Sequence, residues 1–410
     1  MKTVLFAPET INIAETTRMV EIAKLCKGRY NCVFVGYSDE YSYIIDKAGF
    51  TFIPLKPWLT KEKIEHLWKV DRMESFADPF TEKELEERVE SEIEVMTRLG
   101  VSAVIMGFTL SFAISARVTK TPLIYVMPFP LTQPFLEHNL ATVPDAFYRG
   151  IVKLIPEKWL NTIINRWFLN TTLWIKPFRK VCEKHHIKPI RKLAELYQGD
   201  FNMITDLPEL TGVPTLPANW FYVGFMFARL DEKIPDIVYQ IPDDKPLIYC
   251  SMGSSANRSV LKMVIEAFSD IDCYVISPMK KHLDEMQITV PENVYVTDWL
   301  PAHLVNPMAR IAIIHGGQDT VQTAVSSGTP FIGIGLQPEQ ESNIDLIVKQ
   351  GSARRIRKYE LNKKRLKNEI ELLLKDENAF KRAKELSEYL KIHNGPEIIL
   401  KHLTEILQKE

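Results

Sequence analysis

The stretch from Arg310 to Asn343, RIAIIHGGQDTVQTAVSSGTPFIGIGLQPEQESN, restricts the fold more than any other part of the chain. Ile311-Ala312-Ile313-Ile314 is apolar throughout and too short for a helix, so it reads as a strand buried in a parallel sheet. His315-Gly316-Gly317 turns the chain, a helical segment follows, and Gly328-Thr329-Pro330 stops it. Phe331 to Gly335 is a second apolar strand. Glycines that feed a helix leave backbone N–H groups beside the positive end of its dipole, which suits a phosphate. At the mouth of the second strand, Glu339-Gln340 offers a carboxylate and an amide that can bond several hydroxyls at once. A phosphate cradle followed by hydroxyl readers points to a sugar nucleotide. The plain alternative is one more βαβ unit of an unrelated α/β enzyme.

Bulk properties remove several classes. At 410 residues the chain has room for two cores. A net charge of −1 supplies no field for nucleic acid. Cys26, Cys32, Cys182, Cys250 and Cys273 are scattered, mostly inside apolar patterns, and suit buried free thiols of a reducing cytoplasm. The chain enters a strand at Thr3 with no basic-then-apolar leader, and no apolar run approaches the ~18 residues that read as a spanning helix. A cytoplasmic protein is expected.

Read in order, the first half alternates strands (Thr3–Ala7, Cys32–Gly36, Thr51–Pro54, Ala103–Met106, Leu123–Met127, Phe201–Thr205, Phe221–Gly224) with helical patterns. Among the latter, Glu84 to Arg98 reads as a charged, solvated helix. A second set of strands follows at Leu247–Ser251, Cys273–Ile276, Val294–Thr297, Ile311–Ile314 and Phe331–Gly335, and the tail from Leu361 reads as helical, broken at Asn394-Gly395-Pro396. The class is α/β, with two doubly wound parallel-sheet, Rossmann-like domains. The boundaries expected are residues 1–228 for an N-terminal acceptor-binding domain, 229–244 for a linker rich in Pro and Asp, 245–390 for a C-terminal nucleotide-binding domain and 391–410 for a last helix. Between 135 and 180, Trp159, Trp167 and Trp174 are interleaved with Lys153, Lys158, Arg166, Lys176, Arg179 and Lys180. Such helices can lie on a membrane surface or line an apolar cleft; they can equally pack on the domain with a solvated basic edge.

Taken together, His315-Gly316-Gly317, Thr320, Ala324-x-x-x-Gly328-x-Pro330 and Glu339-Gln340-x-x-Asn343 resemble the signature of family-one glycosyltransferases. That family includes plant natural-product glucosyltransferases and bacterial macrolide and sterol glycosyltransferases. The resemblance covers the C-terminal domain well and the N-terminal domain only in strand order. It implies the GT-B architecture, in which the last helix crosses back onto the N-terminal domain. It also implies that His315 contacts the donor diphosphate, with Gly317 and Thr320 at the helix start. Trp299-Leu300-Pro301 looks like the family's Trp-x-Pro, whose indole stacks on the base while the next backbone groups pair its edge. A lone Trp is more often core. Ser251-Met252-Gly253-Ser254-Ser255, after the domain's first strand, could hold the diphosphate by close backbone approach. Gln340 resembles the family's terminal Gln, associated with glucose donors. Three positions depart from the pattern. Asp319 stands where relatives usually carry Asn or Gly, and it could cap the helix. Thr323 stands where many relatives have a ribose-gripping Glu. Ala302 replaces a Gln of the plant proteins.

The reaction implied is inverting transfer of a hexose, glucose favoured, from a UDP-sugar to a hydroxyl of an apolar small-molecule or lipid acceptor. The UDP-sugar is a co-substrate, and neither a resident cofactor nor a metal is expected. Helix amides and His315 would neutralise the leaving diphosphate. Asp270-Ile271-Asp272 reads as a solvated turn, and the Cys and His residues lack metal-ligand spacing. The base is harder to find, because relatives usually place a His at the start of the first helix with an Asp to orient it. No His lies between Met1 and Glu65, and the matching place holds Glu15. Glu15 could be the base; Asn12-x-x-Glu15 also has the spacing of a capping box. Without the dyad, a catalytically silent sugar-nucleotide-binding or transferase-activating protein remains a second class, and a sugar-nucleotide epimerase a third. Peripheral contact with the inner face of the membrane through 135–180 is a further expectation.

Overall fold

The computed structural model describes residues 1–130, 132–148, 150–227, 233–253, 258–391 and 395–408. The apolar runs become strands wherever they are bounded by turn residues. In the first half these are β1 (Thr3–Ala7), β2 (Asn31–Gly36), β3 (Thr51–Pro54), β4 (Val101–Met106), β5 (Leu123–Met127), β6 (Phe201–Ile204) and β7 (Trp220–Tyr222). They pair in parallel in the order β3-β2-β1-β4-β5-β6-β7. Side chains alternate across the sheet, so Leu5, Ala7, Val33, Val35, Val104 and Met106 enter one core while Val4, Phe6, Phe34, Ala103 and Ile105 enter the other. Both faces are covered, which is why the strands read as continuous apolar runs.

The second core is closed by the helix Ile13–Cys26, through Met19, Val20, Ala23 and Cys26, and by the last helix, Gly395–Gln408, through Ile399, Leu403, Ile406 and Leu407. Each of those four aliphatic residues contributes roughly 1.5–3 kcal/mol of transfer free energy. The C-terminal helix therefore folds back onto the N-terminal sheet. Gly395 lets it start there, because a Cβ at that position would collide with the Phe225 carbonyl.

The second compact unit holds β8 (Leu247–Ser251), β9 (Tyr274–Ser277), β10 (Val294–Val296), β11 (Ile311–Ile314), β12 (Phe331–Gly333) and β13 (Ala353–Arg355). All pair in parallel, in the order β10-β9-β8-β11-β12-β13. In each sheet the first strand of the set has neighbours on both sides, so strand order reverses between β1 and β4, and again between β8 and β11. Chain connections leave such switch points in opposite directions and open a crevice at the carboxyl ends of the strands.

Four features differ from the reading of the sequence. β13 was not expected; it is an edge strand of only three residues, two of them arginine. The tail breaks a second time, between the helices Lys363–Leu374 and Glu377–Leu390, where Asp376 accepts a hydrogen bond from the Ala379 N–H at 3.2 Å. The helix Glu82–Leu99 is not simply solvated, since it buries Arg88 and Glu92. Arg88 pairs with Glu9 at 3.2 Å and lies 3.6 Å from the centre of the Tyr37 ring, while Tyr37, Ser111 and Ser115 donate to the Glu92 carboxylate at 2.6, 2.5 and 2.6 Å. Finally, Pro144–Leu154 leaves the first unit and belongs to the second, where residues 1–228 had been drawn as one domain.

That excursion is held by charge. Buried Asp145 accepts from Arg355 Nη2 at 3.0 Å and from the Lys358 backbone N–H at 2.7 Å, and its own N–H donates to the Glu341 carboxylate at 3.1 and 3.2 Å. Arg355 also pairs with Glu341 at 2.9 Å and with Asp345. One guanidinium thus serves three carboxylates, and burial still pushes the Asp145 and Glu341 carboxyls above their ordinary range. Removing one partner of a buried ion pair typically costs about 3–5 kcal/mol. Arg355→Ala is expected to lower the unfolding free energy of the second unit by that amount in urea denaturation; a loss below about 1 kcal/mol would make the cluster a surface-type pairing.

Candidate functional site

In the second unit the site residues line up along the carboxyl ends of the strands. Ser251 ends β8 and pairs with Ile314 of β11; its carbonyl accepts from the His315 N–H at 3.2 Å and lies 3.4 Å from Nδ1 of the same ring. The imidazole sits between two glycines. A Cβ on Gly253 would come within 2.6 Å of its Cε1, and one on Gly317 within 2.5 Å of its Nε2. Gly253 is also needed for its positive φ of 66°. Burial lowers the His315 pKa to about 4, with the Ser251 carbonyl acting in the opposite sense. The ring is therefore neutral near pH 7, and the Ser251 carbonyl favours the tautomer with its proton on Nδ1. Ser254 lies outside the described residues.

Gly317 is the N-cap of the helix Gln318–Ser326 and supplies no side chain to cap it. Asp319 is not the cap; it stands in the first helical turn, where its charge is favourable to the dipole. Thr320 donates its hydroxyl to the Gly317 carbonyl at 2.8 Å, and Thr323 donates to the Asp319 carbonyl at 2.7 Å and is buried. Thr320 stays at the mouth of the helix, while Thr323 offers nothing outward.

Trp299 and Leu300 follow the edge strand β10, two strands from β8. With strands about 4.8 Å apart, that is roughly 10 Å. The Trp299 indole Nε1 is buried with no hydrogen-bond partner among the described residues, and the Trp299 carbonyl is taken by the Thr297 hydroxyl at 2.9 Å. Leu300 is buried. Beyond β12, the helix Pro338–Lys349 carries Glu339 and Gln340. Glu339, half-buried, accepts from the Asn343 amide, whose nitrogen also donates to the Gly316 carbonyl at 3.1 Å. Gln340 turns inward: its Oε1 accepts from the Leu336 N–H at 3.0 Å and its Nε2 donates to Gln337 at 2.5 Å. Glu339 is at the edge of the crevice; Gln340 braces the helix start.

In the first unit, Glu15 lies at the β1/β4 switch point. Asn12 caps the helix, accepting from the N–H groups of Ala14 at 3.0 Å and Glu15 at 3.3 Å. The reciprocal half of a capping box is absent, because the Asn12 N–H donates to the Glu9 carbonyl at 2.8 Å. The Glu15 carboxylate instead crosses to the end of β4 and accepts from the Phe108 N–H at 2.7 Å. Gly107 is glycine because a Cβ there would run into that carboxylate. Glu15 is 2% exposed, and burial lifts its pKa to about 7 against the Phe108 hydrogen bond. Its Oε2 makes no hydrogen bond of normal geometry among the described residues, nor does the buried Tyr125 hydroxyl. The Phe108 ring, 36% exposed, stands edge-on to Tyr125 at 6.5 Å and to Tyr197 at 6.2 Å. The sequence does not single out Phe108, Tyr125 or Tyr197. The one signal available was a glycine directly after a buried strand, which marks a close approach.

With this geometry in place, comparison with known proteins assigns the fold. Residues 262–406 match the family "Erythromycin biosynthesis protein CIII-like, C-terminal domain". A PGL/p-HBAD biosynthesis glycosyltransferase of Mycobacterium tuberculosis is 25% identical over 367 residues, 88% of this chain and 82% of that protein. A PGL/p-HBAD biosynthesis rhamnosyltransferase of Mycobacterium bovis is 24% identical over 372 residues, 88% and 78% respectively. The structure of spinosyn rhamnosyltransferase SpnG complexed with thymidine diphosphate superposes with a TM-score of 0.69 at 12% identity, covering 98% of this chain and 100% of that one. The chain has the GT-B fold, and it is similar in sequence to glycosyltransferases over 88% of its length. The likeness of fold spans the whole length, and the family match lies within the second half.

Among the described residues of this GT-B protein, no group of three or more His, Cys, Asp or Glu side chains is placed to hold a metal ion, and no helix is long and apolar enough to cross a membrane. Base–aromatic stacking is worth about 1–3 kcal/mol, so Trp299→Ala is expected to weaken UDP binding by about tenfold or more in calorimetry. Unchanged affinity in the folded variant would remove Trp299 from the site.

Proposed function

We propose that this protein transfers a hexosyl group from a nucleoside-diphosphate sugar, with UDP-glucose as the reference donor, to a hydroxyl of an apolar acceptor. One observation carries the reading. Along the strand ends of the second unit stand, in order, an indole (Trp299), a turn and imidazole at the switch point (Gly253, His315), a helix N-terminus (Gly317, Thr320) and a carboxylate (Glu339). A base, a diphosphate and a sugar follow one another in the same order. Trp299 stacks the base, with the Leu300 backbone at its edge. Ser251 supports the imidazole through its carbonyl, while the chain at Gly253 holds the diphosphate beside the amides at the start of the helix. Glu339 reads sugar hydroxyls, and Gln340 fixes the helix that presents it.

Nothing at Thr323 reads the ribose. A single hydrogen bond is worth about 0.5–1.5 kcal/mol net, so UDP and dTDP should bind within about tenfold of each other. That accords with one relative being named a rhamnosyltransferase and with thymidine diphosphate in the SpnG structure.

In the first unit, Glu15 is the base. The acceptor oxygen attacks the anomeric carbon as the bond from that carbon to the diphosphate oxygen breaks. The acceptor proton passes to Oε2 of Glu15, the oxygen not held by Phe108, the electron pair leaves with the diphosphate, and the anomeric configuration inverts. An Oε1 already held by Phe108 keeps the carboxylate aimed, and the exposed Phe108 ring with Tyr197 offers an apolar acceptor an aromatic wall. The second reading is a silent nucleotide-sugar-binding protein, favoured by the absence of any histidine from Met1 to Glu65.

A panel of UDP- and dTDP-sugars with apolar alcohols and phenols, read by mass spectrometry, separates the two: product supports transfer, and tight nucleotide binding without product supports the silent protein. Because the base must be ionised, kcat/KM should fall as pH drops below about 7, the value to which burial raises Glu15. Glu15→Gln keeps the Phe108 hydrogen bond but takes no proton, so turnover should drop by about 100-fold or more with donor affinity unchanged. Retention of most activity would move the base elsewhere. Transfer should also survive EDTA, since amides and His315 are assigned the diphosphate charge; loss of activity restored by magnesium would place a cation there.

A further inference from the structure

The helix Glu157–Asn170 has two apolar faces, and only one is used by the fold. Inward, Leu160 is buried and Ile164 and Phe168 pack against the core. On the same side Asn165 brackets the chain at Ala141, accepting from its N–H at 3.1 Å and donating to its carbonyl at 2.8 Å, while Asn161 accepts from the Val143 N–H at 3.1 Å. The helix is therefore firmly seated. Outward, Trp159, Ile163 and Trp167 follow one another at four-residue spacing, which places them on one stripe. They are 67%, 62% and 38% exposed. Three large apolar side chains in a row on a seated helix are not spare core, because the core face is already complete.

The charges around the stripe are mostly basic. Lys158 and Arg166 flank it, exposed and without an ion pair among the described residues, and Glu157 is the only acid on the helix. On the next helix, Ile175–Lys184, Lys176 and Arg179 are likewise exposed and unpaired. A second copy of this face would bring like charges together, which disfavours self-association. Indole rings at the level of lipid headgroups, with basic side chains reaching anionic phosphates, satisfy both halves of the pattern.

We propose that the Trp159–Ile163–Trp167 face of this helix docks on a bilayer surface containing anionic phospholipids. Docking is independent of the transfer chemistry assigned above. It would bring an acceptor dissolved in the membrane to the protein without any spanning segment. Attraction at each basic residue is screened by salt, whereas insertion of the apolar side chains is not, so binding should weaken with ionic strength but not vanish.

The test is co-sedimentation of the full chain with vesicles of phosphatidylcholine alone or mixed with phosphatidylglycerol, at low and high salt. The wild type should partition to the mixed vesicles and much less to phosphatidylcholine. Trp159→Gln with Ile163→Gln should lower the partition coefficient by about tenfold or more, because binding scales with the apolar area inserted. Lys158→Gln with Arg166→Gln should weaken binding to the mixed vesicles by about tenfold while leaving the residual affinity for phosphatidylcholine alone unchanged. Both pairs project into solvent, so unchanged circular dichroism is expected; should the apolar variant fail to fold, the charge variant decides. Three results would overturn the proposal: no sedimentation of the wild type with mixed vesicles, partition indifferent to the variants, or a concentration-dependent dimer in ultracentrifugation that the apolar variant abolishes, which would give the face to a second copy.

Discussion

The hydrogen bond from the Phe108 backbone N–H to the Glu15 carboxylate joins the two halves of the first unit's switch point, beside one from the Thr109 hydroxyl to the Ala7 carbonyl at 2.9 Å. It requires β1 and β4 to be neighbours, so that the loop after one meets the loop after the other. It requires Gly107, because any side chain there would occupy the space of the carboxylate. It also requires Asn12 to cap the helix by itself, which frees Glu15 from the capping role its spacing suggests. The outcome is a buried carboxyl group held at one oxygen, with no hydrogen bond of normal geometry at the other among the described residues, in surroundings dry enough to lift its pKa to about 7.

The second unit repeats the arrangement with different chemistry. At the β8/β11 switch point the group pressed into place is an imidazole, and two glycines rather than one make room for it. Burial acts on both groups by the same rule, disfavouring whichever form carries charge: Glu15 is pushed up and His315 pushed down. Near neutrality this leaves a carboxyl poised to take a proton in one unit and an uncharged ring in the other. A bound diphosphate would partly reverse the second effect, since a nearby anion favours imidazolium. Donor binding and proton uptake at His315 are therefore coupled in this account.

Strands bounded by glycine or proline were legible because a doubly covered parallel sheet leaves unbroken apolar runs. Ile311–Ile314 and Leu247–Ser251 emerge at the residues expected. β13 was hidden because an edge strand needs pairing on one side only, so Arg354 and Arg355 are tolerated there. Arg88 and Glu92 were misjudged for a related reason. Charge in a helical pattern normally marks solvent, and only tertiary structure reveals that Glu9, Tyr37, Ser111 and Ser115 meet them inside. The attachment of Pro144–Leu154 to the second unit depends on pairs such as Asp145–Arg355, separated by 210 residues and carried by no local pattern. The glycines and His315 at the strand ends of the second unit were legible as a motif, but the inward turn of Gln340 was not, because Glu339 and Gln340 differ in direction and not in spacing.

Everything assigned to the first unit rests on the protonation behaviour of one buried carboxyl. Carbon-13 NMR of side-chain-labelled glutamate, with Glu15→Gln used to assign the resonance, reads that carboxyl directly across a pH titration. The account predicts a midpoint near 7 for Glu15, displaced from the ordinary glutamates near 4.3. A Glu15 midpoint in the ordinary range would mean that the site is wet and the carboxylate a poor base at neutrality, which would contradict the account.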